Sequence, residues 1–206
     1  KISMKIWRLK KGFDVRIRSG HPWIFSNELL ESPKGIQPGD PVELHDIKGN
    51  FLARGYGNPV SLIAFRALSF ESHVTQPNSV ESVVNKLFKS WKNRHLMGFT
   101  TSFRICFSES DFLPGFILDR YLVEKNGKSY QVFSFQILTA GMSKIFEKSE
   151  EIFRSLVELA LKNNFTQLGW DRTLLLSHND ANVRKLEGLA VEPAQVVKNA
   201  DDVDLN

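Results

Sequence analysis

The sequence predicts two domains: a small all-β barrel over residues 1–72 and an α+β domain over residues 78–192, with residues 193–206 opening a linker. Three observations predict this. Residues 4–70 are cut into short apolar runs by Gly12, Gly20, Gly35, Gly39, Gly49, Gly55 and Gly57 and by Pro22, Pro33, Pro38, Pro41 and Pro59, the punctuation of many short strands. Residues 71–78, Glu-Ser-His-Val-Thr-Gln-Pro-Asn, have the composition of a connection. Beyond them, helical periods alternate with strand-like runs, the pattern of a mixed domain.

In the first region, Val42-Glu43-Leu44-His45-Asp46 alternates apolar and polar residues. Lys48-Gly49-Asn50 then turns the chain into Phe51-Leu52-Ala53-Arg54-Gly55-Tyr56, a hairpin pattern. Gly55-Tyr56-Gly57 reads as a turn, and Leu62–Leu68 supplies another strand. In the second region, Asn78 with Glu81 fits a capping box. Val80, Val83, Val84, Leu87, Phe88 and Trp91 then mark one apolar helix face running to about Leu96. Phe103–Phe107, Phe116–Val123 and Tyr130–Ile137 are strand-like, the last two joined through Asn126-Gly127 with the character of a type I′ turn. Met142, Ile145, Phe146, Ile152, Phe153, Leu156, Val157 and Ala160 line one helix ending near Asn163. Gln167–Trp170 and Leu174–Leu176 are short strand candidates.

Composition narrows the class. Hydrophobic residues make up 42% and charged residues 24%, which argues against wholesale disorder. One cysteine, Cys106, cannot form an internal disulfide, and no apolar run approaches the ~20 residues that span a bilayer. A reducing cytoplasm and no membrane partner are therefore expected. The chain opens on Lys1 with Met4 behind it, and its end, from Asp201 to Asn206, has the look of a cut.

Charge is unevenly spread. Residues 1–72 hold 11 Lys/Arg against 7 Asp/Glu, whereas residues 73–206 hold 16 of each. Within residues 1–20 the ratio is 7 to 1. All the excess positive charge sits at one end, as a polyanion-binding face requires, although a solvated basic face has the same composition.

Catalytic patterns are scarce. Gly55-Tyr56-Gly57 lacks a third glycine, and Asn58-Pro59 follows it instead of a helix start, so it makes no phosphate loop. The five histidines, His21, His45, His73, His95 and His178, stand apart with no metal-ligand spacing. Cys106 sits in an apolar run and reads as buried. Ser108-Glu109-Ser110-Asp111 with Asp119 and Arg120 presents carboxylates, but its grammar is that of a turn with structural salt bridges. The segment richest in binding chemistry is Arg16–Glu28. It offers two guanidinium forks, a glycine permitting close approach, and His21 and Trp23 as donor and stacking surface. Trp23 and Phe25 are expected to pack inward, with Arg16, Arg18 and His21 outward.

Several ordered segments resemble a known family. Leu9-Lys10-Lys11-Gly12, Arg18–Glu28, Pro38-Gly39-Asp40 and Phe51–Pro59 resemble the N-terminal PUA module of SAM-dependent RNA methyltransferases, whose best-known members are the large-subunit ribosomal RNA cytosine-5 methyltransferases. Ser108–Tyr121, Gln136–Met142 and Val183–Leu189 resemble that family's central α+β domain. Phe112 stands where family members often have glycine, and Leu122 with the Asn126-Gly127 hairpin replaces a Gly-Asp pair. The resemblance implies that this is the family's N-terminal half: a PUA-like barrel and an α+β domain, with the Rossmann-like methyltransferase domain absent. No catalytic residue and no cofactor site is then expected in this chain, S-adenosylmethionine belonging to the full-length family member, and the chain alone is expected to be inactive. It further implies structured RNA, ribosomal in the family, as partner, leaving the oligomeric state open. Lys10, Lys11, Arg16, Arg18, His21, Arg54 and Arg66 are the expected RNA contacts. The rival reading is a free-standing RNA-binding or interaction protein without enzymatic activity.

Overall fold

The computed structural model describes residues 4–201 and 203. Residues 1–3, 202 and 204–206, parts of the basic end and of the expected linker, lie outside the described residues.

The first region is a five-stranded mixed sheet in the order β1-β3-β4-β5-β2. Its strands are β1 (Lys5–Arg8), β2 (Trp23–Phe25), β3 (Pro41–His45), β4 (Phe51–Gly57) and β5 (Ile63–Ser69), with a one-turn helix α1 (Val15–Arg18) between β1 and β2. β1 runs parallel to β3, and the other pairs are antiparallel. The expected closed barrel is corrected here. The edge strands β1 and β2 share no ladder, and only an isolated bridge between Leu9 and Leu29 spans the gap. Strands of three and four residues are too short to shear round into full closure. Trp7, Leu9, Ile17, Ile24, Val42, Leu44 and Phe65 nonetheless bury a core inside the curved sheet.

Two expectations for this region meet different outcomes. Gly55-Tyr56-Gly57 is not a turn but the end of β4. Glycine is needed at 55 because a Cβ there would lie 1.9 Å from the Arg66 carbonyl oxygen of the neighbouring strand. The β3–β4 hairpin forms as expected, with the Asp46 carboxylate accepting the Lys48 and Asn50 amides, each at 2.9 Å.

The second region begins with α2 (Val80–Leu96). Its cap is Ser79, whose Oγ accepts the Ser82 amide at 3.2 Å, rather than Asn78. A second five-stranded sheet follows, ordered β10-β9-β8-β7-β6, from β6 (Phe103–Phe107), β7 (Phe116–Lys125), β8 (Lys128–Ile137), β9 (Thr173–Ser177) and β10 (Gln195–Lys198). Asn126 and Gly127 both take positive φ, as a type I′ hairpin demands. The single helix expected over 142–163 is broken into α3 (Ala140–Ile145), a 3₁₀ turn over Phe146–Lys148, and α4 (Ser149–Lys162). The break lets Phe146 stack on Phe116, centroids 4.0 Å apart, while Phe153 covers Phe133 and Phe135. Trp170 opens a 3₁₀ turn instead of closing a strand. After β9 comes α5 (Ala181–Leu186), and residues 195–198, expected in a linker, instead pair antiparallel with β9.

β8 and β9 run parallel, joined by α3 and α4. This is a β-α-β crossover, the repeating unit of Rossmann-like sheets, and it was not expected. The apolar stripe of α4, Ile152, Phe153, Leu156, Val157 and Ala160, must cover the Phe133 and Phe135 face. A helix laid on that face returns the chain for a strand in the original direction. Two buried polar groups fix the sheet. Arg120, 2% exposed, donates to the carbonyls of Thr100 and Thr101 and stacks over Trp91. Gln131 reaches Thr173 and the Leu168 carbonyl. Asp119, next to Arg120, points the other way and pairs with Arg104 at 2.8 Å, as strand alternation requires.

The two sheets are bound together. Tyr56 of β4 belongs to the second core, its hydroxyl donating to the Pro114 carbonyl at 2.9 Å and lying 2.8 Å from Thr139 Oγ1. Its ring lies flat on Gly141, where a Cβ would come within 2.2 Å. Lys144 reaches Asp40 at 2.6 Å.

Candidate nucleic-acid interface

The basic N-terminal end folds around a 3₁₀ turn over Ser26–Glu28. Lys10 Nζ donates to the Asn27 carbonyl at 2.8 Å. Arg16, on α1, lies 3.6 Å from Glu28 Oε1 and 5.5 Å over the Phe25 ring, and its NH2 is 3.2 Å from both ring nitrogens of His21. Glu28 is buried and accepts the Phe25 amide at 2.7 Å. The amide of Trp23 donates to His21 Nδ1 at 3.2 Å, and the two rings meet edge to face. Lys10 and Arg16 are thereby gathered into one cationic edge, with the His21 ring against Arg16 and Lys11 exposed beside Lys10.

The other expected contacts sit differently. Arg18 is exposed, but its guanidinium is forked between Asp14 at 2.6 Å and Asp46 at 2.7 Å. Its hydrogen bond to Asp14 holds that carboxyl below the usual aspartate range, and the Asn50 side chain does the same for Asp46. Arg54 stands apart on β4, bonded to Glu43 at 2.7 Å and to the carbonyls of Ser72 and Val74. Arg66 is 6% exposed. Its NH2 donates to Glu187 Oε1 at 2.6 Å, NH1 is 3.9 Å from Glu109, and Trp23 lies 5.5 Å beneath it.

The expectation that Trp23 and Phe25 pack inward is corrected. On β2 only Ile24 is fully buried, and its neighbours are half-buried on the opposite face. Strand alternation already carried that signal, since one inward residue sends both flanking residues outward. Trp23 Nε1 donates to Glu109 Oε1 at 2.9 Å. Trp23 and Phe25 line a groove of about 440 Å³ between the two sheets, opposite Leu62, Val183 and Leu186. Glu187 closes its floor, accepting from Ser61 Oγ at 2.8 Å and Asn58 Nδ2 at 3.1 Å as well as from Arg66. The sequence gives no sign that Glu187, far along the chain, is the counter-charge of Arg66.

The candidate acid–base residues are structural. Asp111, 7% exposed, is held bidentately by Arg94 at 2.5 and 2.6 Å and by Ser90 at 3.0 Å. Cys106 is fully buried, and burial pushes its thiol well above the usual range. Among the described residues, no group of three or more His, Cys, Asp and Glu could hold a metal ion, and no helix is long and apolar enough to cross a membrane.

Comparison with known proteins bears on this geometry. Residues 8–70 match the family model of a PUA-like domain. The chain is homologous to ribosomal RNA large subunit methyltransferase I. It is 32% identical to that protein of Pseudoalteromonas translucida over 137 residues, covering 66% of this chain and 33% of the relative. Against the Aliivibrio fischeri (strain ATCC 700601 / ES114) protein it is 30% identical over 184 residues, covering 88% of this chain and 41% of the relative. The chain thus spans well under half the length of the curated relatives it matches. Two solved structures share the fold. A protein assigned as a SAM-dependent methyltransferase from Streptococcus mutans aligns with TM-score 0.64 at 13% identity, over 95% of this chain and 43% of its own. A protein assigned as a methyltransferase and complexed with SAH aligns with TM-score 0.62 at 15% identity, over 87% of this chain and 41% of its own.

The expectation that the methyltransferase fold is absent is therefore corrected: 95% of the chain is fold shared with such a structure, the parallel β-α-β crossover included in its sheet. Whether the residues here fit S-adenosylmethionine is a separate matter. The turn from a parallel strand into a helix, where such a cofactor's carboxylate or ribose is ordinarily received, runs here from Ile137 through Thr139 into α3. It is filled: Thr139 Oγ1 is spent on the Pro114 carbonyl and Tyr56, and the Tyr56 ring occupies the space before Gly141. That turn does not fit the cofactor.

Proposed function

We propose that this chain is the RNA-recognition portion of an RNA-modifying methyltransferase, holding structured ribosomal RNA while a cytosine is methylated at C5. The observation that carries the reading is the cationic edge of Lys10, Lys11 and Arg16, with the His21 ring, gathered round one 3₁₀ turn beside the half-buried rings of Trp23 and Phe25. The PUA-like match over residues 8–70 and the homology to ribosomal RNA large subunit methyltransferase I support it.

The parts divide the work physically. Lysine ammoniums at 10 and 11 neutralise phosphates as point charges, and Arg16 supplies a planar fork. His21 and the exposed edge of Trp23 offer a donor and an aromatic surface to an unstacked base. Arg18, Arg54 and Arg66 sit 2.6–2.7 Å from their carboxylate partners, whereas Arg16 lies 3.6 Å from Glu28, so the part of those three is to hold the fold in shape.

Fluorescence anisotropy with a ribosomal RNA stem-loop tests the reading. Affinity falls with salt, and Arg16→Ala combined with Lys10→Ala and Lys11→Ala reduces the log–log salt slope by about one for each phosphate no longer neutralised. Arg18→Ala weakens binding less, because its charge is already spent. An affinity indifferent both to salt and to the triple substitution overturns the proposal.

A further inference from the structure

A second groove, of about 310 Å³, lies between the end of β5, the side of α2 and the 3₁₀ turn over Ser108–Asp111. Two features in it break local rules. The first is Lys86. Its ammonium donates to the Leu68 carbonyl at 2.6 Å and has no carboxylate partner among the described residues. Burial alone pushes its pKa down to about 8. The charged groups around it leave it uncompensated. On α2, Lys89 adds positive charge at the rim, Asp111 from the 3₁₀ turn is neutralised by Arg94, and Glu71 after β5 turns to His73 at 3.1 Å.

The second is Phe112. It takes φ +60° and ψ +27°, a left-handed conformation costly for a bulky side chain. Its ring is 55% exposed, so packing does not explain why a phenylalanine holds the position. The other non-glycine residues with positive φ among the described residues, Ser108, Asn126 and Asn164, carry short polar side chains. An exposed ring on a left-handed backbone and a partly buried cation with no carboxylate partner among the described residues thus line the same groove, together with Phe70. An anion carrying a flat apolar body satisfies both: the anion completes the lysine, and the body covers the ring.

We propose that this groove binds one nucleotide of single-stranded RNA, its phosphate on Lys86 and Lys89 and its base stacked on Phe112. The proposal rests on the RNA reading above and adds a second anchoring point, in a groove lined from both regions of the chain. A flanking unpaired nucleotide seated there fixes the register of a stem held at the basic edge.

Backbone amide NMR of the whole chain, titrated with adenosine 5′-monophosphate, with inorganic phosphate and with the ribosomal stem-loop, tests it. The nucleotide is expected to shift resonances of residues 68–74, 82–93 and 110–112. Phe112→Gly, which suits the left-handed backbone and keeps the fold, lowers nucleotide affinity about ten-fold, the scale of a single base stacked on an aromatic ring. Lys86→Met lowers it at least as much. Loss of stem-loop binding with nucleotide binding intact removes the RNA reading but keeps the groove. Absence of nucleotide shifts there, equal affinity for inorganic phosphate, or indifference to Phe112→Gly overturns the inference even when the stem-loop binds.

Discussion

Replacing Glu187 by glutamine tests how the two sheets are held together. Glu187 is 3% exposed and Arg66 is 6% exposed, so the pair sits at 2.6 Å with little water to screen it. Removing the carboxylate charge strands a buried guanidinium, a change that costs about 3–5 kcal/mol. Glu109, 3.9 Å away and partly exposed, offers weak compensation, which places the expected loss near the lower end, about 3 kcal/mol. For a chain of this size, that corresponds to a fall in Tm of about 6–12 °C. Thermal and urea unfolding followed by circular dichroism measure it. The double variant Arg66→Met/Glu187→Gln removes both charges and recovers most of the loss, because the penalty lies in the unpaired charge and not in the missing bond. A single-variant loss below about 1 kcal/mol, or strictly additive losses in the cycle, would falsify the claim that a buried ion pair joins the sheets.

Other outcomes follow from the same geometry. Gly55→Ala drives a Cβ to 1.9 Å from the Arg66 carbonyl and costs about 3 kcal/mol by overpacking between β4 and β5; a variant as stable as the parent in urea refutes the close approach. Phe112→Gly relieves a left-handed phenylalanine and leaves stability equal or higher, by up to about 1 kcal/mol; a marked loss shows the ring packs. Lys86 has a folded pKa depressed to about 8, so between that value and its ordinary 10.5 the unfolded chain binds more protons. The parent therefore gains stability relative to Lys86→Met as pH rises through 8 to 10.5, and parallel unfolding curves across that window contradict the burial. Cys106, with its thiol pushed up by burial, resists alkylation at pH 8 until denaturant is added; fast labelling of the native protein contradicts its placement.

Much of this molecule could be read from local patterns. The hairpin through Asn126-Gly127, the amphipathic face of α2 and the turn at Lys48-Gly49 each depend on residues within a few positions of one another, and each is found where expected. The break between α3 and α4 escaped because Met142 to Ala160 keeps an apolar stripe throughout; only the stacking of Phe146 on Phe116 requires the interruption. Gly55-Tyr56-Gly57 resembled a turn because glycine serves both turns and close strand approach, and the neighbour that settles the matter, Arg66, lies on another strand.

By itself the sequence determined the basic bias of the first 72 residues and the residue types available for binding polyanions. The tertiary structure decided how closely each of those charges is paired. Arg18, Arg54 and Arg66 look equivalent to Arg16 in the sequence, yet Asp46, Glu43 and Glu187 hold them at 2.6–2.7 Å in the fold, whereas Glu28 lies 3.6 Å from Arg16. It also decided that the first sheet stays open and that the second contains a parallel crossover. The physical reason is the same in each case. Composition and periodicity act along the chain, whereas a charge's partner and a strand's neighbour are set by segments as far apart as Arg66 and Glu187, which meet only once both sheets have packed.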